Sequence, residues 1–265
     1  MSSWELYDRL VASVPEGAAV DDALLSPMWT VVRADGGCGL TMNPGVRSRD
    51  RMPLAGDFTG MPARLAAELS KSWDFREAAV GLATVNAFAN RLGVLPAADP
   101  RIMRGKRRPG VFGGFDPFIA GRRVVLVGHG PFVRELRERC DLTVLERLPQ
   151  EGDLPDPACE YVLPQADVAF ITASALANKT MPRLLELAER ALTVVWGPSA
   201  PLLPALLDAG ADVILGDVVT DGDAVRSIAA EGGFFPDFAR HVEGVRWFRD
   251  ADLAGRFAEE TSPVE

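Results

Sequence analysis

VVLVGHGPFVREL, residues 124–136, opens with apolar residues that show no polar alternation, passes through a Gly-His-Gly-Pro turn, and continues at helical spacing. Such a run suits a strand buried on both faces, as inside a parallel sheet. The same order repeats downstream. Strands are predicted at 123–127, 142–145, 167–172, 192–196 and 212–215, and helices at 131–139, 181–190, 201–209 and 221–230. Alternating strand and helix predicts an α/β fold, a Rossmann-like doubly wound parallel sheet.

Upstream the pattern is different. Trp4, Tyr7, Leu10, Val11 and Val14 recur at helical spacing, so the chain begins with an amphipathic helix. A hairpin follows, with strands at 28–33 and 38–42 around the turn Asp35-Gly36-Gly37. Helices are predicted at 62–71 and 74–91, the second placing Phe75, Ala79, Leu82, Asn86 and Ala89 on one face. Residues 1–100 therefore read as a smaller N-terminal α+β domain. Prolines, glycines and a basic run (Arg101, Arg104, Lys106, Arg107, Arg108) mark 101–120 as a linker, with anion binding as the other use of that run. The Rossmann-like domain then covers 121–250, and 251–265 reads as a loose tail.

The bulk properties exclude several classes. The 265 residues carry 28 basic and 37 acidic side chains, a net charge of −9, which speaks against a nucleic-acid binder. Apolar stretches are strand-sized and the first ten residues do not resemble a secretory signal, so no membrane partner is expected. Three cysteines, Cys38, Cys140 and Cys159, form no paired spacing, which fits a cytoplasmic protein without disulfides. The expected partner is a small-molecule ligand, with a homo-oligomer left open.

In an open parallel sheet, ligands sit beyond the carboxyl ends of the strands. Here those ends carry Gly128-His129-Gly130-Pro131, Glu146, the segment 172–180, Gly197-Pro198-Ser199 and Gly216-Asp217. Gly128 and Gly130 let a ligand approach the backbone. The third glycine of the dinucleotide fingerprint is Val133, however, and Pro131 lacks an N–H for a pyrophosphate. A ribose-bearing cofactor without a diphosphate, S-adenosylmethionine above all, fits better than NAD or FAD. Glu146, eighteen residues after Gly128, is placed to take ribose hydroxyls; the alternative is a surface pair with Arg147. Thr172, Asn178 and Ser199 are expected to line the pocket, with Thr180 as a helix cap.

Three residues are candidates for the reacting end. His129 sits in the turn as acid, base or ligand, or else merely caps the helix. Cys38, flanked by Gly37 and Gly39, reads as an accessible thiol, either a nucleophile or soft-metal ligand or an idle hairpin residue. Asn86, polar on an apolar face, either ties its helix to a loop or touches ligand. Cys140 reads as core, and Cys159, in an acidic loop, as inert.

The motifs GGCGL (36–40), VGLATVNA (80–87), VGHGPF (127–132), VLERLP (144–149), ADVAFITASALANKT (166–180) and VVWGPSAPLLPALLDAGADVILGDVV (194–219), followed by Asp221, resemble the prokaryotic "putative heavy-metal chelation" family. The likeness runs over roughly residues 5 to 235. It implies an enolase-N-terminal-like domain docked on a Rossmann-like domain, with a site in the cleft between them. Gly130 replaces an aromatic of the family pattern, which would widen the crevice. Two functions follow. One is an enzyme that binds S-adenosylmethionine and performs group transfer (a transferase) or cofactor cleavage or cyclisation (a lyase). The other is a non-catalytic protein binding a heavy-metal ion or metallophore, for which Cys38, His129, Glu146 and Asp217 are the candidate ligands.

Overall fold

The computed structural model describes residues 3–44, 52–105, 112, 114–130 and 132–261. Pro131 and the basic residues Lys106, Arg107 and Arg108, discussed above, lie outside the described residues.

The N-terminal part runs α1 (Ser3–Ala12), β1 (Val20–Leu25), β2 (Trp29–Ala34), β3 (Gly37–Met42), α2 (Ala63–Glu68) and α3 (Phe75–Ala89). The strands form an antiparallel sheet in the order β1-β2-β3. The predicted hairpin is β2–β3; β1, with Asp21 and Asp22 in its sequence, was not foreseen. Asp74 caps α3 by accepting from the Arg76 N–H, which satisfies one orphan donor of the first turn. α3 lies directly on β3. A Cβ at Gly39 would stand 1.9 Å from the Ala83 carbonyl oxygen, so the glycines around Cys38 make room for a helix.

The remaining elements are β4 (Ile102–Gly105), α4 (Asp116–Ile119), β5 (Arg123–Val127), α5 (Val133–Arg137), β6 (Asp141–Glu146), β7 (Leu154–Pro155), α6 (Cys159–Val162), β8 (Val168–Thr172), α7 (Met181–Leu187), β9 (Leu192–Trp196), α8 (Pro204–Asp208), β10 (Val213–Val219), α9 (Gly222–Ala230), α10 (Phe235–Phe238), β11 (Val242–Phe248) and α11 (Ala251–Thr261). Their sheet has the order β4-β11-β10-β9-β8-β5-β6-β7. From β7 to β10 every pairing is parallel, as the apolar strands predicted. β11 pairs antiparallel with β10, and β4 antiparallel with β11.

Alternate residues of each parallel strand face opposite cores. Val125, Val127, Ala169, Ile171 and Val195 join one core with α1, α7 and α8. Val124, Leu126, Val168, Phe170 and Val194 join the other with Phe112, Phe115, Phe118, α5 and Phe257. Two expectations are corrected here. The segment read as a linker supplies an edge strand and buried phenylalanines, because an edge strand needs no long apolar run. The segment read as a loose tail is helical through Thr261, anchored by buried Ala254 and Phe257.

The N-terminal part is fastened to the larger sheet by buried polar contacts. Asn90 Nδ2 donates to the Ala200 and Asp217 carbonyls at 2.9 and 3.1 Å, and its Oδ1 accepts from the Leu202 N–H at 2.8 Å. Tyr7 donates its hydroxyl to the Leu176 carbonyl at 2.7 Å, and at the surface Arg9 pairs with Asp208. Asn90→Ala would strand a buried N–H and two carbonyls. It is expected to lower stability by about 2–4 kcal/mol, measured by urea unfolding; a loss under about 0.5 kcal/mol would contradict this role.

Candidate functional site

From β5 the chain moves to one side of the sheet to build β6 and β7, then returns to the opposite side for β8, β9 and β10. The β5/β8 seam is therefore the point where the strand order reverses, the place where open α/β sheets hold ligands. A cavity of about 590 Å³ opens there, lined by groups from the ends of β5, β6, β8 and β9 and by Met42, Asn43 and Pro44 of the N-terminal part.

Gly128 forms the seam itself. Its N–H donates to the Leu145 carbonyl at 2.9 Å and its φ is +97°, a region costly for residues with a Cβ. A Cβ there would also stand 3.1 Å from Thr172 Cγ2. The next N–H, of His129, donates to Glu146 Oε2 at 2.8 Å. Glu146 Oε1 accepts from the N–H groups of Arg147 and Leu148 at 2.7 and 3.2 Å. The carboxylate is thus held by backbone, not by the Arg147 guanidinium as a surface pair. Arg147 reaches elsewhere: Nη1 donates to the Pro44 carbonyl at 3.3 Å, Nε lies 3.7 Å from Asp156, and the group stacks 5.1 Å from the Phe75 ring centroid.

His129 is fixed a second time through its ring. Nδ1 lies 2.8 Å from Asp153 Oδ2, which also accepts from the Gln150 N–H at 3.0 Å. Across the cavity, Thr172 and Ser174 share a hydroxyl hydrogen bond of 2.8 Å. Asn178 Oδ1 accepts from the Thr180 N–H and hydroxyl at 3.1 and 2.6 Å. Thr180 precedes α7 as expected, but its side chain makes no capping bond and is held by Asn178 instead. Trp196 also lines the cavity, and its buried Nε1–H has no partner. Arg183, another lining residue, is paired with Glu160 and Glu186 at 2.5 and 2.7 Å. Burial pushes the Asp156 carboxyl up, opposed by the charge of Arg147.

Gly128, His129, Glu146, Thr172 and Asn178 line this cavity. Four other expected site residues do not line it. Cys38 is 9% exposed and packs in a core with Trp29, Leu40, Val225 and Phe238, its Cβ 3.1 Å from where a Cβ would sit on Gly222. Burial pushes its thiol up to about 12, which makes a poor nucleophile or metal ligand. Asn86 is wholly buried and donates to the Leu40 and Ser199 carbonyls, both at 3.1 Å, so it ties α3 to a loop. Ser199 is likewise buried, its hydroxyl accepting from the Met42 N–H at 2.8 Å. Gly130 does not widen the crevice, because the Phe132 ring fills the space where its Cβ would stand.

Asp153, Asp156, Trp196 and Arg183 were not foreseen as site residues. Cys159, read as inert, lines the cavity, with burial raising its thiol. Arg101 pairs with Asp99 and Arg104 donates to the Leu95 carbonyl; both are engaged within the chain.

Two family profiles, both described as "putative heavy-metal chelation", match residues 7–89 and 114–248. A solved structure of a protein of unknown function of this family, from Desulfitobacterium hafniense, is 33% identical with a TM-score of 0.81, over 93% of this chain and 98% of that one. The chain belongs to that family. A second relative of unknown function, from Pyrococcus horikoshii, shares the fold at 18% identity and a TM-score of 0.76, over 94% of this chain and 100% of that one. No curated protein matches the sequence. The described residues contain no group of three or more His, Cys, Asp or Glu side chains placed to hold a metal ion. Cys38 and His129 in particular are not brought together. Also among the described residues, no helix is long and apolar enough to cross a membrane.

The burial of Cys38 gives a direct test. At pH 8 a thiol-exchange reagent should label Cys159 in the folded protein and reach Cys38 only on unfolding, as read by peptide mass spectrometry. Prompt labelling of Cys38 would contradict the packing described.

Proposed function

We propose that the cleft at the β5/β8 seam binds an adenosine-type small molecule, S-adenosylmethionine first, and acts on it by group transfer or cofactor cleavage. One observation carries this reading: a carboxylate at the end of β6, Glu146, is turned onto the glycine bend after β5 at the edge of a nucleoside-sized cavity. Pockets of about 300–1,000 Å³ suit ligands of this size. Each carboxylate oxygen has two acceptor sites, and Oε2 uses one on the His129 N–H, so acceptor capacity remains for ribose hydroxyls.

The remaining lining is consistent with the same ligand. Val127, Leu145, Ala175, Leu184 and Trp196 supply apolar surface for a base. Asp156, Arg147 and Arg183 offer both signs of charge, as an amino-acid moiety requires. The sequence offers no N–H at Pro131 for a pyrophosphate, which favours an adenosine-type ligand over a dinucleotide. When bound, S-adenosylmethionine supplies a carbon activated by its sulfonium; Glu146, Thr172 and Asn178 would hold and orient it. A bare metal ion suits the cleft less well, since the described residues bring no metal-binding cluster together.

Thermal unfolding tests the reading. S-adenosylmethionine at about a hundredfold excess over Kd should stabilise the fold by about 2.7 kcal/mol, a rise of several °C, whereas NAD and nickel, copper or zinc salts should not. Glu146→Gln should weaken the effect about 10- to 100-fold in ligand concentration, the weight of a charge-assisted hydrogen bond. Stabilisation by metal salts alone, with none from the nucleoside, would contradict the proposal.

A further inference from the structure

Within that reading, on which this inference rests, we propose that His129 is the proton acceptor of the cleft and Asp153 its positioning residue. The ligand would then carry a hydroxyl or amine whose proton is removed. Asp153 is a carboxylate, an acceptor only, so its contact with His129 Nδ1 places the ring N–H on Nδ1. The lone pair then resides on Nε2, the other ring nitrogen of a side chain that is 22% exposed, in a residue that lines the cavity. Orientation of an imidazole by a carboxylate behind it is the arrangement of a general base.

Two features separate this pair from an incidental contact. The Asp153 side chain is 0% exposed, and its Oδ1 makes no hydrogen bond, with Arg137 Nη2 3.6 Å away. An under-satisfied buried carboxylate is costly, and its side-chain hydrogen-bond partner is the His129 ring. Second, His129 is gripped at two points by two carboxylates, its backbone N–H by Glu146 and its ring by Asp153. Such double anchoring fixes a ring before a ligand arrives, the preorganisation that catalytic groups require. The other charged or titratable groups lining the cavity are Glu146, Arg147, Asp156, Cys159 and Arg183.

The step is a proton transfer alone. The ligand O–H or N–H bond breaks, its electron pair stays on the ligand, and the proton forms a bond to His129 Nε2. The resulting imidazolium is stabilised by the Asp153 carboxylate, and no oxidant or reductant is needed.

The test exploits the presence of just two histidines, His129 and His241. His241 is an internal control, because its Nε2 already accepts from Arg240 Nε at 3.0 Å. In ring-15N-labelled protein, assigned with His241→Gln, the neutral His129 ring should be the Nδ1–H tautomer. Asp153→Asn should raise the Nε2–H form to a comparable population. Diethyl pyrocarbonate should modify His129 faster than His241, and saturating S-adenosylmethionine should slow that reaction at least ~10-fold. An Nε2–H tautomer in the wild type, which needs no variant to fold, overturns the proposal. So does a ligand that raises the melting temperature yet leaves His129 equally reactive, while the binding reading survives. If S-adenosylmethionine changes neither melting nor reactivity but the Nδ1–H tautomer is found, the adenosine reading fails and the dyad remains supported.

Discussion

Three backbone N–H groups converge on the Glu146 carboxylate, one from the bend after β5 and two from the residues after β6. This contact locks two adjacent strand ends together beside the seam where the strand order reverses. It holds His129 in place, leaves the Gly128 backbone against Thr172, and keeps the mouth of the cavity polar. A carboxylate held by three amides in this way is fixed in position without a cationic partner. The rest of the site follows from that placement. The apolar floor comes from the strands beneath, and the far wall from the N-terminal part.

The N-terminal part acts as a buttress as well as a wall. Its glycines at 37 and 39 let α3 lie on β3, and Asn86 of α3 and Asn90 just beyond it then reach the loop after β9 and the backbone of β10. Those amides fasten backbone that apolar packing alone would leave free to shift. Met42, Asn43 and Pro44 thereby reach the cavity edge. Loss of these amide contacts should therefore disturb the cleft as well as stability.

Much of this was legible in the sequence because burial on both faces leaves a clear signature. The parallel strands appear as apolar runs, and the residues after them necessarily lie on one edge of the sheet, which located Gly128, His129, Glu146, Thr172 and Asn178. What failed has physical reasons too. β4 and β11 sit at the antiparallel edge and carry mixed residues, such as Arg104, Glu243 and Arg246. Glycines around Cys38 suggested an accessible thiol, but a sequence does not say whether open space or a helix lies against them. Asn86 and Ser199 are polar and buried for docking, indistinguishable beforehand from polar residues facing a ligand. Asp153 lies twenty-four residues from the ring it holds, in an acidic loop that gives no sign of inward orientation.

The central claim is that the β5/β8 cleft, with Glu146 at its edge, is the ligand site. A crystal structure of the protein grown with S-adenosylmethionine tests it most directly. The account predicts density in the cavity, with ribose oxygens within hydrogen-bond distance of Glu146 and the base against the apolar floor near Trp196. Density for the nucleoside elsewhere on the molecule, with the cavity holding solvent alone, would contradict it.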